Sequence, residues 1–319
     1  MDKANWEVMN MKLKRILALV LALALVFALA ACGGDGKKDD TKTDAGTADT
    51  GKTDDAAASG SDASPDDASA SDGAKFADGG TLRVGVKNAV EGFGYQDPLT
   101  GEYEGMEIDI ANMLADALGY DDVEFTTVTA ATRGELLDAG DIDCVLATFT
   151  ITEERKQSWD FSTPYYTDAI TVLVEDSSNI TSLADLKDKT VGVSSGSTSA
   201  KALVEAMIDA GVIPGDNYDA EAFQIDTWTD GVKFQQYADY PDISTALAAG
   251  EVDAFCVDKS ILAIYKTDGR HYIDESFSPQ EYGVATKKGA PISAEIEKLI
   301  TGWLDDGTID GLVEKWNLG

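Results

Sequence analysis

The sequence predicts an α/β protein in which one plan is used twice. Val84-Gly85-Val86 and Val191-Gly192-Val193 are β-rich runs whose first valines stand 107 residues apart. Gly140-Asp141-Ile142-Asp143 and Gly250-Glu251-Val252-Asp253 each close a helix and enter an apolar strand, and their glycines stand 110 residues apart. A glycine just past a helix takes up left-handed backbone without a Cβ clash, so Gly before an apolar run marks a helix-to-strand junction. Such alternation implies two units of roughly one hundred residues, each with a parallel-type sheet. Ligands gather beyond the carboxyl ends of the strands in such sheets, and two facing units would form a cleft lined by those ends.

Taken in order, the chain opens with a targeting signal. Met11-Lys12-Leu13-Lys14-Arg15 is basic, and the apolar run that follows ends at Ala30-Ala31-Cys32. The run is too short for a spanning helix of about 20 residues and reads as a signal peptide over 1–31. Its ending is similar to a bacterial lipobox, with Cys32 lipidated and first in the mature chain. Residues 32–79 are Gly, Ser, Ala, Thr, Asp and Lys with almost no large apolar side chain, which reads as a disordered acidic linker. The folded part begins with the strand at Leu82-Arg83-Val84-Gly85-Val86. A helix over 107–118 has apolar residues at Ile108, Ile110, Ala111, Leu114 and Leu118 and stops at Gly119; a second covers 198–210. A strand over 252–257 leads to Asp258, and two helices over 292–304 and 309–316 flank Asp306-Gly307. Their apolar stripes, with Trp303 and Trp316, are core. Cys144 and Cys256 lie in apolar runs in different units, so both are expected to be buried free thiols.

With 25 Lys+Arg against 58 Asp+Glu, a net charge of −33 argues against a nucleic-acid binder, which needs a basic face. A single histidine makes a His-rich metal site or His-dependent triad improbable; no metal and no cofactor are expected.

Three places could hold a small ligand. After Ala147-Thr148-Phe149-Thr150-Ile151, Thr152-Glu153-Glu154 forms a helix start with Arg155 in its first turn. A cation there opposes the helix dipole, a conflict that an anionic ligand would relieve, although pairing with Glu153 or Glu154 would serve equally. Ser194-Ser195-Gly196-Ser197-Thr198-Ser199 joins a strand to a helix and could hold an anion or simply cap the helix. Asp258 could bind an ammonium, pair with Lys259, or cap Ser260-Ile261-Leu262.

Thr150-Ile151-Thr152-Glu153-Glu154-Arg155 followed by Asp160-Phe161-Ser162-Thr163-Pro164-Tyr165-Tyr166 resembles the characteristic motif of the bacterial extracellular solute-binding proteins, family 3, which serve ABC importers of polar amino acids. Gly105-Met106-Glu107-Ile108-Asp109-Ile110, Leu183-Ala184-Asp185-Leu186-Lys187 and the Glu314-Lys315-Trp316 ending extend the likeness over about 80–319. The resemblance implies a type II periplasmic-binding-protein fold: lobe 1 from 80–168 and 283–319, lobe 2 from 169–282, and crossovers near 166–171 and 281–285, closing on the ligand. It implies that Arg155 holds the ligand α-carboxylate, that Thr150, Ser197 and Thr198 add hydrogen bonds, and that Asp258 takes the α-ammonium. It also implies a monomer tethered by lipid to the outer face of the cytoplasmic membrane, with an ABC permease as partner and no enzymatic activity.

Val86-Lys87-Asn88, Thr129-Ala130-Ala131-Thr132-Arg133-Gly134 and Asp239-Tyr240-Pro241 are similar to the aspartate/glutamate-binding branch. Lys87 and Arg133 would then neutralise the ligand's side-chain carboxylate, with Tyr240 as a hydrogen-bond partner; otherwise they are solvated surface charges. Val90 and Ala130 stand where many relatives carry aromatics, which argues against a long or planar ligand such as arginine. The alternatives are a glutamine or other polar amino-acid receptor and, remotely, an enzyme similar to the cyclohexadienyl dehydratases. His271, in a polar stretch, is peripheral to either. The segment 213–235 is longer than in the family's usual pattern.

Overall fold

The structure is a computed structural model and describes residues 76–319; the expected signal peptide, Cys32 and nearly all of the expected linker lie outside the described residues. The chain is already docked before the expected start of the folded part. Ala77 N–H donates to Leu118 O and Gly79 N–H to Gly119 O, because the last carbonyls of a helix need donors from elsewhere.

Two sheets carry the architecture. In the first, β1 (Thr81–Val86) runs parallel between β5 (Asp122–Thr127) and β6 (Cys144–Leu146), and β14 (Ala285–Lys287) and β7 (Trp159–Phe161) complete it in antiparallel fashion. In the second, β9 (Lys189–Ser194) runs parallel between β10 (Val232–Tyr237) and β11 (Ala254–Asp258), followed by antiparallel β8 (Tyr166–Glu175) with β12 (Arg270–Tyr272) and β13 (Phe277–Tyr282) on it. A small antiparallel sheet of β2 (Ala89–Val90), β3 (Gly94–Gln96) and β4 (Tyr103–Glu104) follows β1. The chain passes from the first sheet to the second between Phe161 and Tyr166, and returns between Tyr282 and Ala285.

The repeat seen in the sequence has a physical cause. A Cβ on Gly85 would meet Ile142 Cδ1 at 2.7 Å, and one on Gly192 would meet Ile243 Cγ2 at 2.6 Å and Val252 Cγ2 at 3.3 Å. Each central strand therefore needs a glycine under the same apolar residue of the glycine–acid–apolar–Asp run. The aspartate of that run is equally constrained. Asp143 Oδ2 accepts from Arg83 N at 2.9 Å, and Asp253 Oδ2 accepts from Thr190 N at 2.8 Å, so each aspartate satisfies a backbone donor where its central strand begins.

The helices fall within a residue or two of their expected spans: α1 (Met106–Leu118), α4 (Ser199–Asp209), α7 (Pro291–Asp305) and α8 (Thr308–Lys315). Shorter ones are α2 (Arg133–Ala139), α3 (Arg155–Ser158), α5 (Tyr240–Ala249) and α6 (Lys259–Leu262). Left-handed glycines at 119, 140 and 250 end α1, α2 and α5. One continuous apolar core runs from β1, α1 and α7 to α5, β11 and α6. At the two passages between the sheets, Phe93, Tyr166 and Tyr282 pack with centroids 5.0–5.9 Å apart, and such aromatic pairs add about 0.5–1.5 kcal/mol each beyond burial. Cys144 and Cys256 are buried free thiols, and burial raises both pKa values. Among the described residues no helix is long and apolar enough to cross a membrane.

Candidate functional site

The strand ends of both sheets converge on one polar cleft. On the first sheet's side, β6 runs into Ala147-Thr148-Phe149-Thr150. Thr148 has φ +45°, a left-handed backbone that costs a β-branched residue about 1–3 kcal/mol and is held only by surrounding contacts. Those contacts are polar: Thr148 N–H donates to Glu107 Oε1 at 2.6 Å, and Arg133 Nη1 donates to Ala147 O at 2.7 Å and Thr148 O at 3.1 Å. Glu107 also accepts from the Tyr165 hydroxyl and is fully buried; burial holds its pKa above the usual range. The Arg133 guanidinium lies 3.8 Å from the Phe149 ring centroid and that of Arg155 lies 4.9 Å away, so one aromatic ring supports two cations.

Arg155 is the first residue of α3. Its Nη1 donates to Thr150 O at 2.7 Å and its Nη2 to Gly196 O at 3.0 Å, so it pairs with neither Glu153 nor Glu154; Glu153 instead takes Lys156. Burial, and then the Arg133 charge, pull Arg155 down to about 9, which leaves it a cation at neutral pH. Lys87, just past β1, and Arg133 are 4% and 3% exposed, respectively; neither is a solvated surface charge. Lys87 Nζ lies 5.1 Å from the Tyr240 ring centroid. Burial, then Arg133, lower its pKa to about 7, against the opposing pull of Glu107, Asp239 and Asp258.

From the second sheet, Asp258 ends β11. It is buried and neither caps α6 nor pairs with Lys259. Desolvation and the neighbouring Asp168 push it up to about 7, while the Tyr282 hydroxyl and then Arg133 and Arg155 pull the other way. Asp168 is itself held by the Ser260 N–H and hydroxyl and by Tyr282. The loop between β9 and α4 brings Ser197 and Thr198 to the same opening; the Thr198 hydroxyl donates to Gln280 Oε1 at 2.7 Å, and the Thr150 hydroxyl donates to the same atom at 2.8 Å. Gly196, φ +76°, comes so close to the first sheet's side that a Cβ there would lie 2.9 Å from Ala130 O and Ala131 Cα.

Buried side-chain atoms without a partner among the described residues concentrate here: Glu107 Oε2, Arg133 Nε, Thr148 Oγ1, Ser194 Oγ and Asp258 Oδ1. Buried polar atoms are nearly always paired, so unpartnered donors and acceptors gathered around these strand ends mark a place for a polar guest, although of the five residues only Ser194 lines a cavity. Two cavities adjoin it. One, of about 850 Å³, is lined by Thr150, Arg155, Ser197, Thr198 and Gln280 among others; the other, of about 460 Å³, is lined by Lys87, Thr129, Asp239 and Tyr240. No group of three or more His, Cys, Asp or Glu side chains is arranged to hold a metal among the described residues. His271 lies away from the cleft, its ring nitrogens facing Asp176 and the Ile180 carbonyl. The long 213–235 segment packs Tyr218, Phe223 and Trp228 on one another.

Neither Glu107 nor Gln280 stands among the residues expected at the site, and Thr148 and Phe149 do so only as part of the run that leads to Arg155. Glu107 left a signal: with Ala111, Leu114 and Leu118 it follows the i, i+4, i+7, i+11 spacing of a buried stripe. Gln280 left none.

The family model of the bacterial extracellular solute-binding proteins, family 3, matches residues 82–319. The chain belongs to this family. This family 3 protein is 33% identical over 311 residues to the ABC transporter glutamine-binding protein GlnH of Bacillus subtilis, covering 95% of this chain and 97% of that one. It is 30% identical over 263 residues to the glutamate-binding protein GluB of Corynebacterium glutamicum, covering 76% and 80%. Among solved structures it is similar to an ancestral arginine-binding protein bound to glutamine, with a TM-score of 0.62, 33% identity, and 74% and 97% of the two chains covered. The type II periplasmic-binding-protein fold accounts for the paired sheets and the two passages between them.

Proposed function

We propose that this family 3 protein is the extracellular receptor of an ABC importer and captures an acidic amino acid, glutamate or aspartate, between its two halves. Arg155 takes the α-carboxylate, with the Gly196 and Thr198 N–H groups contributing, since those of Ser195 and Ser197 donate to Tyr237 O and Ser194 O, and Asp258 takes the α-ammonium. Lys87 and Arg133, beside Tyr240, receive the side-chain carboxylate. A ligand touches both halves only when they are shut, so its binding free energy drives closure. Cys32 anchors the protein to the outer face of the cytoplasmic membrane.

One observation carries the acidic reading. Lys87 and Arg133 are buried with no carboxylate bonded to either among the described residues, Lys87 lines the smaller cavity, and Arg133 Nε has no partner. An uncompensated buried cation is costly; a second ligand carboxylate offsets that cost, whereas a neutral side chain does so less well. Glutamine is the second reading. It is supported by the Bacillus subtilis relative and by Glu107 Oε2, an unpartnered acceptor suited to an amide N–H. Isothermal titration with glutamate, aspartate and glutamine separates the two. Tight glutamine binding without a glutamate signal, or an Arg133→Ala variant with unchanged glutamate affinity, overturns the acidic assignment.

A further inference from the structure

Hydrogen bonds join the two halves across the cleft, and one side chain sits at the junction. Gln280 lies in β13, on the return passage between the sheets, and is 2% exposed. Its Nε2 donates to Ser278 O at 2.8 Å and approaches Ser278 Oγ and Pro279 O. Carbonyl oxygens only accept, so this fixes the orientation of the amide and turns Oε1 the other way. Oε1 then receives two hydroxyl protons. One comes from Thr150, which follows β6 of the first sheet; the other comes from Thr198, which precedes α4 on the second. Ser278 has φ +49° and the β13–β8 register slips between Phe277 and Pro279. A bulge of this kind re-aims the residues beside it.

Two further contacts share the junction. Arg155 Nη2 donates across to Gly196 O at 3.0 Å, and the Gly196 backbone fits against Ala130 and Ala131 where a Cβ would not.

We propose that Gln280 is a positioning residue for ligand capture: its side-chain oxygen clasps one hydroxyl from each half and so favours the shut arrangement of the two halves. The proposal rests on the reading that the ligand is captured by closure, but not on which amino acid is bound. Two consequences follow. The Thr150 and Thr198 hydroxyl protons are engaged by Gln280, so what these residues offer a carboxylate is backbone N–H. Closure also has a contribution independent of ligand, which slows release once the ligand is inside.

The test uses the full chain with a donor and an acceptor dye on unnatural amino acids at Asp116 and Asp209, exposed positions of α1 and α4, together with stopped-flow kinetics for glutamate. Gln280→Met keeps the side-chain length and removes the acceptor. It is expected to shift the ligand-free distance distribution towards open and to raise the release rate about tenfold, the order of magnitude for two lost neutral hydrogen bonds. The association rate should not fall, because a larger open population admits ligand at least as readily. Thr198→Val should give part of the effect, and the double variant should be no worse than Gln280→Met alone, because both remove the same bond. An unchanged ligand-free distance and release rate in both single variants overturns the proposal. So does a double variant whose effects multiply. Thr198→Val leaves Gln280 in place and decides the matter if Gln280→Met does not fold. The ligand-free distance reads the clasp even if glutamate proves to be the wrong ligand.

Discussion

The two halves repeat one backbone and present different chemistry at its ends. Carried through the repeat, Lys87 at the end of β1 corresponds to Ser194 at the end of β9, and Thr148 after β6 corresponds to Asp258 at the end of β11. All four are buried. In the first half the strand ends supply a cation and a threonine whose strained backbone orients carbonyls toward Arg133; in the second they supply a hydroxyl and a carboxylate. The glycine and aspartate of each repeat, Gly85 with Asp143 and Gly192 with Asp253, build equivalent walls. The comparison teaches that packing demands fix the repeated residues, while one residue at each strand end assigns charge to each side of the cleft.

Asp258→Asn tests the second side and should have the largest effect. Breaking a buried pair costs about 3–5 kcal/mol, so titration calorimetry should show a loss of about two to three orders of magnitude in amino-acid affinity. The same change should raise the ligand-free melting temperature, since it removes a buried carboxylate that Asp168 destabilises. Arg133→Ala tests the first side. It should cost glutamate roughly ten- to a hundredfold in affinity and glutamine less, in line with about 1.5–3 kcal/mol for a charged hydrogen bond.

The pH dependence contrasts the two sides directly. Asp258 titrates at about 7 in the folded protein against an ordinary 3.8. Its contribution to ligand-free stability is therefore complete below about 4 and is lost as the pH rises through 7. Lys87, lowered from 10.5 to about 7, works in the opposite sense: its contribution is complete above about 10.5 and is lost as the pH falls through 7. An ammonium requires ionised Asp258 and a side-chain carboxylate favours protonated Lys87. Glutamate affinity should thus peak near pH 7 and fall on both limbs, by up to about tenfold per pH unit. Lys87→Met should abolish the alkaline limb and leave the acid limb in place; a curve for glutamate that stays flat from pH 5.5 to 8.5 contradicts both assignments. The smallest effect belongs to Ser194→Ala, the repeat counterpart of a Lys87 change, which should alter affinity less than about threefold because it removes one neutral hydroxyl.

The sequence by itself determined the repeat, the helix spans and the glycine ends, because each depends on residues close along the chain: a left-handed glycine, an apolar stripe, a strand run. It also singled out Arg155, Asp258, Lys87 and Arg133 as candidates, through their positions at strand and helix ends and through the family resemblance. Only the tertiary structure decided that Lys87 and Arg133 are buried, that Glu107 holds Thr148 from 41 positions away, and that Gln280 receives Thr150 from 130 positions away. These are contacts between segments that local pattern does not relate. A hydrogen bond depends on where two atoms meet in space, and that meeting is set by the packing of elements that are far apart along the chain.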